Sequence, residues 1–205
     1  MRMKLLRIIA GFLLAAAGAA GVCHACRVSA AQALYFRAKY GADAADGDKV
    51  LALCSMAHAF YPHNYYCALL AGQRAWDMRS GCSSDEERAV LTALAAHWCD
   101  VGLALNPYQL DLRYLRMRIL EAFSIQEAIA YWQRHVEWQF WAPYNHLVLV
   151  ELHSKAGDFE KAVEAMKWVR GTEYEREASA RLREAWEKES SFPAGTDRRP
   201  APAPR

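Results

Sequence analysis

Apolar residues recur along this chain every three or four positions, in segments separated by short polar breaks. The breaks hold Asp- and Gly-rich turns or a proline, and Pro62, Pro107 and Pro143 each follow a predicted helix and end it. The Gly157-Asp158 corner lies between two amphipathic segments. The pattern predicts an all-α protein built from antiparallel helix pairs.

Four helix pairs and one final helix are predicted from this periodicity. The pairs are Val28 to Gly41 with Lys49 to Tyr61, Asn64 to Arg79 with Asp85 to Asn106, Gln109 to Ala122 with Ser124 to Trp141, and Tyr144 to Ala156 with Phe159 to Arg170. Capping boxes are predicted at Ser84 with Glu87, Ser124 with Glu127, and Thr172 with Glu175.

The N-terminal segment 1–27 reads as a membrane signal. Arg2, Lys4 and Arg7 precede an uncharged stretch that runs from Ile8 to Val22. The positive side should stay in the cytoplasm, so the rest of the chain should cross the membrane. Two outcomes remain open: an uncleaved single-pass anchor, which needs about 17–25 apolar residues, or a cleaved signal peptide with a secreted product. We expect the anchor, because the helical pattern continues from Val28 without a polar break.

Composition narrows the class of protein. Hydrophobic residues make up 54% of the 205 residues, so residues 28–190 can form a folded domain. The net charge is +2 with both signs interspersed, so the sequence has no basic cluster of the kind that binds nucleic acid. Residues 191–205 are rich in Pro and Arg and are expected to be disordered.

Two cysteines and two histidines are spaced so that they could form a metal site. Cys54 and His58 share one predicted helix, and His63 and Cys67 follow at the same spacing beyond Pro62. Two such pairs could present zinc with two thiolates and two imidazoles, but the spacing matches no established zinc finger, so we expect no metal and no cofactor. Disulfide pairing among Cys54, Cys67, Cys82 and Cys99 stays open, with a preference for Cys54 with Cys67. No catalytic motif or phosphate-binding loop is present, so we expect no enzyme activity.

The series of helix pairs resembles the tetratricopeptide repeat (TPR) family, whose unit is a helix–turn–helix of about 34 residues. The resemblance covers roughly residues 30–170. In the fourth pair, Gly157-Asp158-Phe159 matches the corner between the helices, and Ala162 the small residue at their crossing. In the second pair, Gly72, Ala95, Cys99, Gly102 and Pro107 match the family pattern. The resemblance implies a short α-solenoid of helix hairpins, and residues 172–189 suit its C-terminal capping helix.

The resemblance also implies a concave groove lined by the first helix of each pair. Its expected positions are Tyr66, Gln73, Trp76, Arg113, Met117, Glu121, Tyr144, Glu151 and Lys155. Such a mixture of aromatic, Arg and Met side chains suits a protein or peptide ligand. The aromatic run of Trp132, Trp138, Phe140, Trp141 and Tyr144 is expected to be mainly core, with self-association as the alternative.

The sequence therefore predicts a non-catalytic interaction scaffold of the cell envelope, anchored in a membrane or exported. One alternative is an accessory subunit that stabilises a larger membrane complex. The other is a metal-binding protein that uses the Cys and His cluster.

Overall fold

The structure, a computed structural model, describes residues 2–190. The predicted disordered tail, 191–205, lies outside the described residues. Within the described range the chain forms helices and turns without a strand, which confirms the predicted all-α class. The α-helices are α1 Arg2–Tyr40, α2 Gly47–Phe60, α3 Tyr65–Met78, α4 Asp85–Leu105, α5 Leu110–Glu121, α6 Ile125–Trp138, α7 Pro143–Lys155, α8 Phe159–Met166 and α9 Glu175–Ser190.

The chain divides into two compact modules. The N-terminal module is Met1–Ile119, and the C-terminal module begins at Leu120. The division falls near the end of α5, inside the third predicted helix pair, so the predicted single repeat domain consists of two compact parts.

Helix α1 joins the apolar N-terminal segment to the first predicted repeat helix without a break. Ala31, Tyr35 and Ala38 on its C-terminal part are buried, as the periodicity predicts, and α1 packs against α2. Its N-terminal part has no such cover: Phe12 is 75% exposed and Leu14 is 74% exposed. By length and composition, the stretch Ile9–Tyr40 can cross a membrane. Helix α4 passes the same length and composition test, but it contributes Ala95, Trp98 and Cys99 to the module interior.

Glycines bring the helices of the N-terminal module close together. A Cβ atom on Gly102 of α4 would lie 2.7 Å from a methyl carbon of Leu112 on α5. A Cβ atom on Gly72 of α3 would lie 3.0 Å from a methyl carbon of Leu115. Both leucines belong to the buried cluster that α3, α4 and α5 share. The absence of a side chain at these two positions therefore sets the distance between the helices.

Two of the three predicted N-caps are present, at Ser84 and Ser124, and the third, at Thr172, is not: Glu175 accepts from the backbone N–H of Gly171 at 2.8 Å. The Oγ atoms of Ser84 and Ser124 accept hydrogen bonds from the backbone N–H three residues later, at 3.1 and 3.3 Å. Glu87 accepts from both the backbone and the hydroxyl of Ser83 at 3.1 Å. These hydrogen bonds hold the pKa of the Glu87 carboxyl below its usual value.

Three predicted helix boundaries are wrong. Pro143 begins α7 at its first turn, where its missing N–H costs no hydrogen bond, and α6 has already ended at Trp138. Helix α8 ends at Met166, and Gly171 then adopts a φ of 75°. Helix α9 begins at Glu175 rather than Thr172, because Thr172 lies in the preceding turn.

Helix α7 is the centre of the C-terminal module and contacts α6, α8 and α9. Every residue from Asn145 to Ser154 is buried, so its polar groups need partners inside the module. Trp132 of α6 donates its indole N–H to the carbonyl of Asn145 at 2.9 Å. The amide of Asn145 donates to the carbonyl of Gln139 at 3.0 Å. These bonds fix α7 to α6 and to the loop between them.

The corner between α7 and α8 provides hydrogen-bond partners for backbone groups at the end of α7 and at the start of α8. Gly157 has a φ of 74°, and its N–H donates to the carbonyl of Ser154, while Asp158 N–H donates to the carbonyl of His153 at 2.9 Å. This pair of bonds is the Schellman motif that ends many helices at a glycine. Asp158 then caps α8 by accepting from Lys161 N–H at 3.3 Å. The predicted Gly-Asp corner is thus a structural element of the module.

Replacement of Gly157 by Ala should lower the free energy of unfolding by roughly 1–2 kcal/mol, because a Cβ disfavours positive φ. Thermal unfolding followed by circular dichroism measures the change. Gly81→Ala is the matched control, since Gly81 lacks positive φ and its Cβ would meet open space. Equal melting temperatures for the two variants would contradict the account.

His153 should make the stability depend on pH. Its burial lowers the pKa of the imidazole in the folded state, although Asp158 Oδ2 lies 3.9 Å from Nδ1. The unfolded chain, with a His pKa of about 6.5, therefore takes up the proton first as pH falls. Stability should be full above about pH 6.5 and should decline as pH falls toward the folded pKa.

His153→Gln should remove this contribution, whereas His63→Gln, at an exposed position, should keep it. Urea unfolding at a series of pH values tests the pair. An unchanged pH profile for His153→Gln would refute the assignment.

Candidate functional site

The predicted groove residues of α3 lie at or near the surface of the N-terminal module. Tyr66 is 47% exposed, and its ring stacks on that of Tyr65 with centroids 4.2 Å apart. Gln73 is exposed, and Trp76 is half-buried beneath the guanidinium of Arg79 at 3.9 Å. These three positions follow each other along α3 and are available to a ligand.

The two predicted groove residues of α5 behave differently. Arg113 is half-buried and donates from Nε to the carbonyl of Pro107 at 2.6 Å, so it fixes the start of α5. Met117 has no exposed surface at all. Met117 is therefore an interior residue and is removed from the set of ligand contacts.

The predicted groove residues Glu121, Glu151 and Lys155 meet in the C-terminal module. The ammonium of Lys155 lies 2.7 Å from Oε1 of Glu121 and also forms an ion pair with Glu151. Arg181 of α9 forms ion pairs with Glu151 and with Glu177. Because Glu151 is only 8% exposed, its carboxylate depends on these cations to offset the loss of hydration.

A cleft of about 470 Å³ lies beside this ion-pair cluster. The end of α7, the Gly157 corner and α9 form its walls, and Arg181, Glu184 and Lys188 are among its charged lining residues. Ser154 also lines it and is buried, and its hydroxyl has no hydrogen-bond partner among the described residues. The cleft therefore presents charges of both signs to a ligand. We call it the α7–α9 cleft.

Tyr144, at the start of α7, is half-buried. Its ring meets that of Tyr174 edge-on, with centroids 5.8 Å apart. It does not line the α7–α9 cleft, which adjoins the other end of the same helix.

Sequence reasoning missed the contribution of α9 to the site. The sequence predicts that the charges of this helix form a solvated outer face, yet Arg181 reaches the buried Glu151 of α7. Glu177 and Arg181 are four residues apart, which places them on one face of the helix. This spacing indicates their own ion pair but not the ion pair between Arg181 and Glu151. The partner on α7 is not indicated by any spacing along the chain.

The four Cys and His candidates for a metal do not form a site. Cys54 and Cys67 are buried, and burial raises the pKa of their thiols to about 12 and about 11. The ring of His58 lies edge-on to that of Trp98 at 5.4 Å, and His63 is exposed. Over the part of the chain that the structure describes, no three His, Cys, Asp or Glu side chains are arranged to hold a metal ion. All six cysteines are free thiols, including the Cys54 and Cys67 pair favoured for a disulfide.

The predicted aromatic core is in part an exposed patch. Trp132 is buried, as expected, but Trp138, Phe140 and Trp141 are exposed. Trp168 lies beside Phe140, with ring centroids 6.3 Å apart, and is exposed as well. We call Trp138, Phe140, Trp141 and Trp168 the aromatic patch. Exposed aromatic side chains that lie together are typical of surfaces that contact another molecule.

Two solved structures superpose on this chain, and one of them is described as a TPR protein. TTC0263, described as a thermophilic TPR protein in Thermus thermophilus, superposes with a TM-score of 0.62 at 15% identity, over 77% of this chain and 81% of that chain. The MamA protein superposes with a TM-score of 0.51 at 17% identity, over 83% of this chain and 93% of that chain. No protein-family model and no curated protein matches the chain. The predicted TPR-like helical repeat fold is confirmed.

Replacement of Arg181 by Leu should destabilise the protein by roughly 1–2 kcal/mol, because it removes one cation from the nearly buried Glu151 while Lys155 stays in place. Chemical denaturation measures the change. Arg183→Leu, at an exposed position of the same helix, should change stability by less than about 0.5 kcal/mol.

The double variant Arg181→Leu, Glu151→Gln tests the cause. With the carboxylate neutralised, loss of Arg181 should cost less than it does alone. Equal costs with Glu and with Gln at position 151 would show that the ion pair does not stabilise the module.

Proposed function

We propose that this protein is a non-catalytic interaction scaffold that binds a protein or peptide partner. The α7–α9 cleft supports the proposal most directly, because it brings the predicted groove residues Glu151 and Lys155 together with Arg181 of α9 at one surface. Its TPR-like fold supports the proposal, since repeat proteins of this architecture use their helix faces as extended binding surfaces.

The charges of the cleft define the chemistry of its ligand. Lys155, Arg181 and Lys188 supply positive charge, and Glu151, Glu184 and Glu189 supply negative charge. A segment with acidic and basic side chains, together with its backbone amides, matches such a surface. A uniformly charged ligand would meet repulsion from one of the two sets.

The exposed aromatic and polar side chains of α3 are the second proposed contact surface. Tyr66 and Trp76 present rigid rings, and Gln73 presents an amide between them along the helix. Large rings with few rotatable bonds contribute much contact area at low entropic cost and dominate many interfaces.

We further propose that α1 tethers this scaffold to a membrane with the folded modules outside the cytoplasm. The exposed apolar stretch of α1 supports the tether, and the basic residues Arg2, Lys4 and Arg7 on its N-terminal side support the direction.

The alternative proposal is an accessory subunit of a larger membrane complex. The aromatic patch favours it, because four large rings exposed together prefer burial against another chain, including a second copy of this one. A subunit of this kind is expected to aggregate when it is separated from its complex.

Site-specific photo-crosslinking tests the scaffold proposal in intact cells. A photoreactive amino acid replaces Tyr66 on α3 or Glu184 in the cleft, and matched controls replace Val90 on α4 or Val163 on α8. All four positions are exposed, with one probe and one control in each module. We expect a defined partner band from the two probes and not from the two controls.

Three other patterns count against the scaffold. Equal crosslinking from all four positions indicates contact without a specific surface, and no crosslinking indicates no partner at these surfaces. Crosslinking confined to a probe at Trp141, in the aromatic patch, supports the accessory-subunit alternative instead.

A further inference from the structure

Three arginines surround a second cleft, of about 470 Å³, in the N-terminal module. It lies where α3 ends and α4 begins, and Arg118 of α5 completes it. The lining residues are Trp76, Asp77, Arg79, Ser80, Arg88 and Arg118. We call it the arginine cleft.

Arg79 is held in place by an aromatic ring and not by an anion. Its guanidinium carbon lies 3.9 Å from the centroid of the Trp76 ring, which restricts the side chain to one wall of the cleft. Among the residues that the structure describes, Nε of Arg79 is buried and has no hydrogen-bond acceptor, and no carboxylate forms an ion pair with this residue. The side chain is therefore positioned while its charge is not compensated.

The neighbouring groups do not compensate it either. Asp77 is the one carboxylate among the described residues that line the cleft, and it forms no ion pair with Arg79 or Arg88. Arg88 uses one nitrogen, Nη1, to bind Asp85 at 2.6 Å. Burial lowers the pKa of the Arg79 guanidinium, and the charge of Arg88 lowers it further. The cleft thus concentrates positive charge that a bound anion would stabilise.

We propose that the arginine cleft binds a doubly charged tetrahedral oxyanion, a phosphate or sulfate group. Guanidinium groups offer planar pairs of N–H donors that match the edges of such an anion. The cleft has arginines on three different segments, and a tetrahedral group has more oxygens to accept from them than the two of a carboxylate. Two negative charges also offset more of the repulsion between Arg79 and Arg88 than one does.

Isothermal titration calorimetry on the full chain in detergent tests the site with three probes at constant ionic strength. We expect sodium phosphate and sodium sulfate to bind with one-to-one stoichiometry, and sodium acetate to bind at least about tenfold more weakly. Arg79→Gln and Arg88→Gln should each weaken phosphate binding by about tenfold or more, since each removes charge-assisted hydrogen bonds.

Arg176→Gln is the matched control, because it removes the same charge from an exposed position on α9. It should leave phosphate binding unchanged. The circular dichroism spectrum and melting temperature of each variant establish that it is folded. Arg79→Lys, which keeps the charge but loses the planar donors, should bind phosphate more weakly than the wild-type chain does.

The pH dependence of binding shows whether the charge of the ligand, rather than a titrating group of the protein, determines the affinity. Inorganic phosphate loses its second charge below a pKa of about 7, roughly one unit above that of a phosphate ester, whereas sulfate keeps both charges. Affinity for inorganic phosphate should therefore fall between about pH 8.5 and about pH 6, and affinity for sulfate should not.

Three results would overturn the proposal: no binding of either dianion to the wild-type chain, equal binding of acetate and phosphate, or equal losses from Arg79→Gln and Arg176→Gln. Glycerol 3-phosphate distinguishes the two sources of the group. If it binds as well as phosphate does, the site admits a phosphate ester. If only the inorganic ions bind, the site is reserved for a free anion.

Discussion

The apolar surface of α1 that the protein does not cover is the constraint on which the account depends. The membrane-length stretch of this helix has none of its most apolar window buried in the protein, and Phe12 and Leu14 remain largely exposed. Each Å² of apolar surface left in water costs about 25 cal/mol, so this stretch is more stable in a lipid or protein environment than in water. The same helix carries Ala31, Tyr35 and Ala38 into the core of the N-terminal module. On our proposal, membrane insertion and folding of the first repeat therefore share one element.

Small residues allow close helix packing in the N-terminal module, whereas ion pairs compensate a buried carboxylate in the C-terminal module. Gly72 and Gly102 let α3, α4 and α5 approach closely, so the leucines of α5 can enter the space that they leave. In the C-terminal module the buried Glu151 is compensated by side chains from two helices. Packing thus fixes the helix pairs, whereas charge shapes the surface between α7 and α9 that we propose as a binding site.

The local elements could be predicted from the sequence because their signals are local. The caps at Ser84 and Ser124 and the Gly157-Asp158 corner each depend on residues within one turn of one another. The prediction that Pro143 ends a helix is wrong because a proline is compatible with both the end of one helix and the first turn of the next. The ion pair between Arg181 and Glu151 and the burial of Met117 could not be predicted, because they depend on how distant helices meet. The repeat pattern therefore predicted correctly that α3 and α7 are helices. It did not predict that side chains of α9 line the α7–α9 cleft.

The proposed tether depends on whether the chain keeps its first helix after synthesis. Intact-mass spectrometry of the protein purified from membranes of its own cells measures this directly. The proposed tether predicts the mass of a chain that retains the segment from Ile9 to Val22, recovered in the membrane fraction. A mature chain that begins after this segment, recovered in the soluble fraction outside the cytoplasm, would contradict the tether and identify the segment as a cleaved signal peptide.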